Sequence, residues 1–246
     1  MKKHFVKTSN YRAFVDGIQA VEARGAAEAS MMLVHGHAGF GKSETLDHWA
    51  TQNDAIYLRA NVDWTPKYFL IELAKFLRTD PSGTAEKLFA RLLAKIAAEQ
   101  IPIVIDEADH CLKNNAEVLE KVRDFADRTE TLVILAGMEK IQGKIARHDQ
   151  ISSRIARAVE FKPASVEDTQ KLCDELSLVK VAPELAAEIQ HFSGGRVREI
   201  INAIAVVESA GKRKGVEIVA LQDVDGMALT HDWQARKPRV VRAGGR

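Results

Sequence analysis

The stretch that decides the fold covers residues 31–43 and reads Met31-Met32-Leu33-Val34-His35-Gly36-His37-Ala38-Gly39-Phe40-Gly41-Lys42-Ser43. Its first five residues are mostly apolar, which predicts a short buried strand. Residues 36–43 fit the pattern G-x-x-x-x-G-K-[ST], and a helical pattern follows over residues 43–53. Glycines permit positive φ and let backbone N–H groups converge on an anion. The stretch therefore predicts a strand, a phosphate-binding loop and a helix whose positive end faces the phosphates.

The loop also supplies side chains for a triphosphate and its metal. Lys42 is expected to reach the β- and γ-phosphates, and the Ser43 hydroxyl is expected to ligate Mg²⁺. The predicted nucleotide-binding residues are Gly36, His37, Ala38, Gly39, Phe40, Gly41, Lys42, Ser43 and Glu44.

A pair of carboxylates follows a second apolar run. Residues 101–105 read Ile-Pro-Ile-Val-Ile and are followed by Asp106 and Glu107. Asp106 is expected to hold the Mg²⁺ shell, and Glu107 to orient and deprotonate a water that attacks the γ-phosphate. Adjacent side chains of a strand point apart, so the two acids can play different roles. Asp109 is either a supporting group or a solvated loop acid.

The rest of the chain alternates in the same way and then changes character. Further strands are predicted at residues 55–58, 101–105, 132–135 and 158–161, and helices at 67–78, 85–99 and 116–127. This predicts an α/β fold with a parallel sheet between helices. Helices alone are expected after residue 163: one after a Ser165–Asp168 capping box, one from Pro183 to Gly194, one over 196–212 and a fourth over 219–230. The predicted domains are 1–163 (nucleotide-binding), 164–232 (helical lid) and 233–246 (a basic tail).

Composition excludes several classes of protein. The chain has 246 residues, 46% hydrophobic and 28% charged, which is typical of a globular protein and not of collagen or a disordered chain. No apolar run approaches the length of a membrane-spanning helix, so no membrane partner is expected. The two cysteines are too few for a disulfide framework and favour a reducing, cytoplasmic location. The net charge of +1 gives no global argument for nucleic-acid binding, whereas the basic C-terminal residues give a local one.

The phosphate loop and the strand ending in Asp106-Glu107 together resemble the AAA+ ATPases over about residues 10–230. Within that family, residues 132–139, 152–154 and 161–163 are similar to the branch that contains the Mu phage B protein and the TniB/TnsC-type transposition ATPases. The resemblance implies an ATPase that binds ATP with Mg²⁺ and assembles with copies of itself.

The resemblance also implies roles for two arginines. Arg154 matches the arginine finger that reaches a nucleotide on the neighbouring subunit, with Arg147 and Arg157 as nearby rivals. Arg198 matches the lid arginine placed over the γ-phosphate. For both Arg154 and Arg198, a surface ion pair is the alternative. The fourth strand departs from the family, because residues 136–138 read Ala-Gly-Met where Asn, Thr or Ser usually aligns the water. Slow hydrolysis, or another group that positions the water, is therefore expected.

From the resemblance we predict a DNA-binding ATPase of transposition. It is expected to form an ATP-dependent filament or ring on double-stranded DNA without sequence preference, and to deliver that DNA to a transposase. Two alternatives stay open: a helicase loader or initiator, and a signalling or secretion ATPase that does not bind DNA. Trp64, Tyr68 and Phe69 either pack in a helix core or touch DNA. The candidate phosphate contacts are Lys67, Lys113, Lys140, Lys144, Arg236, Lys237 and Arg239, with Arg147 beside them.

Overall fold

The computed structural model describes the backbone of residues 1–232 and 237–241, and the side chains of residues 1–230, 240 and 241. Contacts within the chain divide it into two compact units. The sheet unit consists of Ala13–His37 and Lys42–Phe161. The helical unit consists of Met1–Arg12, Ala38–Gly41 and the chain from Lys162 onward.

The sheet unit is built on a parallel five-stranded sheet, which confirms the predicted α/β fold. Its strands are β1 (Met31–His35), β2 (Ile56–Arg59), β3 (Ile103–Asp106), β4 (Val133–Gly137) and β5 (Ile155–Glu160), in the spatial order β2-β3-β4-β1-β5. The central strands β3 and β4 are buried at every residue, because helices cover both faces of a parallel sheet. The edge strand β5 is mostly exposed.

Helices connect these strands, close to the predicted positions. They are α1 (Ser9–Glu22), α2 (Lys42–Gln52), α3 (Pro66–Phe76), α4 (Ala85–Glu99), a 3-10 helix (Ala108–Leu112), α5 (Lys113–Thr129), α6 (Ile141–Ile145) and α7 (Asp149–Ser152). The hydroxyls of Thr65 and Thr84 cap α3 and α4 by accepting backbone N–H groups, as expected for helix starts. The predicted apolar face of α5 is confirmed, because Val118, Leu119, Val122 and Phe125 are all buried.

The helical unit contains α8 (Val166–Leu176), α9 (Pro183–Ser193) and α10 (Val197–Lys214). It is not purely helical, which corrects the sequence prediction. Strands β6 (Lys180–Val181) and β7 (Ile218–Val219) pair in parallel, and β8 (Ala228–Asp232) pairs with β9 (Lys237–Val240) in antiparallel.

The prediction of a fourth helix over residues 219–230 is wrong. The segment contains the end of β7, a 3-10 turn (Leu221–Asp223) and the start of β8. The Asp223 carboxylate accepts the backbone N–H of Ala220, and Gly226 takes a φ of 74°. Such short-range polar contacts and a left-handed glycine compete with helix formation. Of the predicted basic tail, residues 237–240 form β9.

The start of α8 shows how distant contacts modify a local motif. The Ser165 hydroxyl accepts the N–H of Asp168, as predicted for a helix cap. The Asp168 carboxylate does not reach back to Ser165, however. It is buried and accepts both the backbone N–H and the hydroxyl of Ser9, from a segment of the same unit. The second half of the capping-box prediction is therefore wrong.

Strand register brings the ends of the central strands together at one edge of the sheet. His35 at the end of β1 lies beside Gly137 at the end of β4, and Arg59 lies beside Asp106. Ligands of open parallel sheets bind at this carboxyl edge, so the candidate site lies there. Among the helices that the structure describes, none combines the length and apolarity needed to cross a bilayer.

Candidate nucleotide site

The predicted phosphate loop has the backbone that its sequence requires. Gly36, Gly39 and Gly41 have φ of 150°, 88° and 87°, values that side chains disfavour. At Gly36 space is also limiting, because an added Cβ would lie 2.5 Å from the Phe161 carbonyl oxygen. The loop leads directly into α2, whose first N–H groups have no partner within the helix. The loop therefore has the shape of an anion cradle.

Lys42 lies across the base of this cradle. Its buried ammonium donates to the carbonyl oxygens of Gly36 at 2.6 Å and His37 at 2.9 Å. Burial lowers the pKa of Lys42. Nearby carboxylates oppose this shift, in decreasing order Asp106, Asp109 and Glu139. A phosphate that binds in the loop can replace the two carbonyls as the acceptor for this ammonium.

Most of the remaining predicted loop residues are exposed to solvent. Ser43 and Glu44 are exposed in the first turn of α2, and His37 and Ala38 are exposed before it. The imidazole Nδ1 of His37 lies 3.4 Å from Oε2 of Glu139, just after β4. Phe40 is buried, so its predicted contribution to a nucleotide is limited to the backbone.

Asp106 is held at the end of β3. It is 2% exposed and accepts the Tyr57 hydroxyl at 2.8 Å, while one of its oxygens accepts the N–H of Glu107 at 2.8 Å. Burial and the Asp106 charge raise the pKa of Tyr57, which keeps this phenol protonated as a donor. Within the described residues, no group of three or more His, Cys, Asp or Glu side chains can hold a metal. Ser43 and Asp106 stay the predicted Mg²⁺ ligands.

The backbone of Glu107 departs from the extended conformation of β3. Its φ of 55° and ψ of 37° are left-handed, and its carboxylate accepts the Arg59 guanidinium, with the Nε–Oε1 distance at 3.0 Å. His110 Nε2 lies 3.7 Å from its other oxygen. In this arrangement Arg59 engages Oε1 of Glu107 and not Oε2. Sequence reasoning missed Arg59, although it directly follows the predicted second strand.

The end of β4 has no polar side chain, as the sequence indicated. Ala136 and Gly137 are buried there. The Asp109 carboxylate lies against this strand end and accepts the N–H of Met138 at 2.7 Å. Its other oxygen accepts the Lys144 ammonium at 3.1 Å. Asp109 is therefore a structured carboxylate, which favours the supporting role over the solvated loop acid.

The predicted arginines occupy different settings. Arg154 donates to both carboxylate oxygens of Asp127, from Nε at 2.8 Å and from Nη2 at 3.2 Å. This is the ion pair given above as the alternative to a finger. Arg147 and Arg157 are exposed, and no ion pair to another described residue is formed by either. Arg198 is exposed in the first turn of α10, and its backbone N–H lies 3.5 Å from the Gly39 carbonyl oxygen.

The candidate DNA contacts differ in the partners that they have within the described residues. Lys67, Lys113 and Lys140 are exposed, and Lys113 donates to the Val62 carbonyl at 3.0 Å. Lys144 is engaged by Asp109. Arg236 lies outside the described residues, and the side chains of Lys237 and Arg239 on β9 do so too. Trp64 and Phe69 are buried and Tyr68 is half-buried, so the helix-core alternative holds for the first two.

Comparison with known structures identifies the fold. No curated protein matches the chain in sequence. Cdc6p from Pyrobaculum aerophilum is similar at 16% identity and a TM-score of 0.59, over 79% of this chain and 59% of that one. The ORC1 protein of Aeropyrum pernix, solved in complex with DNA, matches at 16% identity and a TM-score of 0.58, over 89% of this chain and 63% of that one. This chain thus spans less than two thirds of either protein.

Two bacterial proteins give the same result. The RuvB Holliday junction branch migration motor of Thermotoga maritima is similar at 17% identity and a TM-score of 0.59, over 87% of this chain and 66% of that one. Domain III of the replication initiation protein DnaA of Thermotoga maritima is similar at 14% identity and a TM-score of 0.54, over 87% of this chain and 89% of that domain. Residues 25–145, which include the loop and both acids, match the family described as AAA domain. Residues 25–145 are thus similar to an AAA domain, and the fold of the chain is similar to that of these four structures.

Proposed function

We propose that this protein binds Mg²⁺-ATP in the loop at residues 36–43 and hydrolyses it. The observation that carries the proposal is the glycine cradle with its lysine, at the same sheet edge as Asp106 and Glu107. Lys42 and the loop N–H groups would hold the phosphates, and Ser43 and Asp106 would hold Mg²⁺, which neutralises developing charge on the phosphates. Glu107 would then take the proton of the attacking water. Glu44 and Arg198 stay predicted nucleotide-binding residues.

The proposal includes self-association through the nucleotide. A finger arginine acts on the active site of a neighbouring copy, so hydrolysis would require an oligomer. Arg154 is the proposed finger, and its ion pair with Asp127 would have to open on assembly. An exposed or half-exposed ion pair is worth about 0–1 kcal/mol, which an interface can readily replace.

A mixing experiment tests Arg154 as a residue that acts between copies. Arg154→Ala keeps its own Lys42 and Glu107 but lacks the finger, whereas Glu107→Gln keeps the finger but lacks the base. We expect each variant alone to hydrolyse ATP slowly and an equimolar mixture to regain turnover, measured as phosphate release. Arg157→Ala mixed with Glu107→Gln is the control and should show no gain over its parts. A mixture as slow as its components would remove Arg154 as a finger in trans.

The proposed target of the assembly is double-stranded DNA. Lys67, Lys113 and Lys140 are exposed and basic, and contacts from such side chains to phosphates favour binding without sequence preference. By resemblance to the transposition branch, the ATP-bound filament or ring would present this DNA to a transposase, and hydrolysis would take the assembly apart. An initiator or helicase loader is the second candidate, and the fold similarity to Cdc6p, ORC1 and DnaA favours it.

Gel-shift and electron microscopy with duplex DNA test this part of the proposal. With a slowly hydrolysed ATP analogue and Mg²⁺, we expect the protein to retain DNA in regular assemblies. Without nucleotide, we expect the protein not to bind DNA. Replacing Lys67, Lys113 and Lys140 together by glutamine should weaken retention uniformly across sequences and flatten its salt dependence, because each phosphate contact releases counterions. Binding that is unchanged by nucleotide would contradict an ATP-controlled assembly. Stimulation of a transposase, or of replicative helicase loading, would then distinguish the two candidates.

A further inference from the structure

The end of β4 lacks a polar side chain. The carboxylate of Asp109 occupies the space that a side chain at Gly137 would take. A Cβ added to Gly137 would lie 2.6 Å from Oδ2 of Asp109 and 2.3 Å from Cδ1 of Ile141. Both distances are shorter than real Cβ contacts, so a side chain at this position would displace Asp109 and Ile141. Asp109 belongs to the 3-10 helix that follows β3, and it reaches the strand end from outside.

Two charge-assisted contacts fix this carboxylate. Oδ2 accepts the N–H of Met138 at 2.7 Å, and Oδ1 accepts the Lys144 ammonium at 3.1 Å. The side chain of Asp109 is 19% exposed, whereas that of its partner Lys144 is 52% exposed. A carboxylate held by a backbone donor and a cation has little freedom to rotate.

The location of Asp109 links it to the nucleotide site. In the sheet, β4 lies between β3, which carries Asp106, and β1, which leads into the phosphate loop. Gly137 is in register with His35, the residue directly before the loop. The charge of Asp109 also acts on the Lys42 ammonium, second only to that of Asp106 among the carboxylates.

We propose that Asp109 is a positioning residue for the ATP hydrolysis proposed above, and that it supplies from the 3-10 helix the polar group that the end of β4 lacks. The inference rests on that proposed function. Asp109 acts through other groups: its acceptor oxygen fixes the turn that begins at Met138, directly after the strand end that is in register with His35. Small displacements of such groups cost large factors in rate.

Two substitutions separate these effects. Asp109→Asn retains an acceptor for the Met138 N–H but removes the charge, whereas Asp109→Ala removes both. We expect kcat for ATP hydrolysis to fall by about tenfold in Asp109→Asn and by about thirtyfold to a hundredfold in Asp109→Ala, with KM for ATP within about threefold of the wild-type value. This split, and the partial rescue by asparagine, would not arise from a general loss of folded protein.

Asp80→Ala is a matched control. The Asp80 carboxylate also accepts a backbone N–H, from Ser82 at 2.9 Å, and lies 3.5 Å from the Arg91 guanidinium. We expect Asp80→Ala to leave kcat unchanged. Thermal unfolding of every variant shows whether it is folded. If Asp109→Ala does not fold, the isosteric Asp109→Asn carries the test.

The outcomes separate this inference from the function on which it rests. A lower kcat with an almost constant KM supports the inference. Wild-type kcat in a folded Asp109→Ala or Asp109→Asn protein overturns it, and so does a rise in KM at constant kcat, because either result removes the positioning role. If the wild-type chain takes up no ATP in calorimetry, the proposed function itself fails and this inference fails with it.

Discussion

Lys42→Ala is expected to lower kcat/KM for ATP by about a thousandfold or more, because it removes a charged donor both from the bound phosphates and from the transition state. In the structure the ammonium is already buried and directed at the loop, where it donates to the carbonyls of Gly36 and His37. Little reorganisation is then needed when phosphate oxygens take their place. ATP-dependent retention of DNA should be lost together with nucleotide binding.

Calorimetry with Mg²⁺-ATP and steady-state phosphate release measure this effect. Lys95→Ala is the matched control, because the Lys95 ammonium also donates to a backbone carbonyl, that of Leu77 at 3.0 Å, in the same unit. It should bind ATP like the wild type. A folded Lys42→Ala protein that takes up ATP with normal affinity would contradict the assignment of the phosphate loop.

The lowered pKa of Lys42 adds a pH dependence with a defined sign. Phosphate favours the charged ammonium, so ATP binding should be accompanied by proton uptake when the pH lies near the lowered pKa. ATP affinity should accordingly be highest below the lowered pKa of Lys42 and decrease as the pH rises through that pKa. Calorimetry in buffers of different ionisation enthalpy detects the proton.

Glu107→Gln is expected to lower kcat by about a hundredfold to ten-thousandfold while ATP binding is retained, because an amide cannot take the proton of the attacking water. The variant should accumulate the ATP-bound assembly on DNA. Single-turnover hydrolysis and nucleotide titration separate the two effects. Normal turnover in Glu107→Gln would exclude Glu107 as the base.

Arg59→Ala is expected to change the rate of ATP hydrolysis in the opposite direction from Glu107→Gln. Arg59 holds the Glu107 carboxylate in an ion pair whose partners are 63% and 41% exposed. Such exposed pairs are worth about 0–1 kcal/mol, so release of Glu107 should raise the basal rate by up to about fivefold and leave KM unchanged. A large fall in kcat would show instead that Arg59 contributes directly to the reaction.

The central part of the candidate site could be predicted because its determinants are local. The loop at residues 36–43 needs glycines at fixed backbone positions and a lysine next to the helix start, and each requirement is visible in neighbouring residues. The strand ending in Asp106 is likewise defined by its own apolar run. The short strands β6 to β9 could not be predicted in this way, because strands of two to five residues carry too little periodicity.

The sequence alone determined the alternating strands and helices, the phosphate loop and the acidic pair, since these follow from backbone preferences and periodicity within short windows. Tertiary structure decided which side chains these groups meet. Arg59 meets Glu107 across 48 residues, Asp109 meets Met138 across 29, Arg154 meets Asp127 across 27 and Ser9 meets Asp168 across 159. The physical reason is that these partners become neighbours only through the strand order β2-β3-β4-β1-β5 and the packing of the helices, which no local pattern encodes.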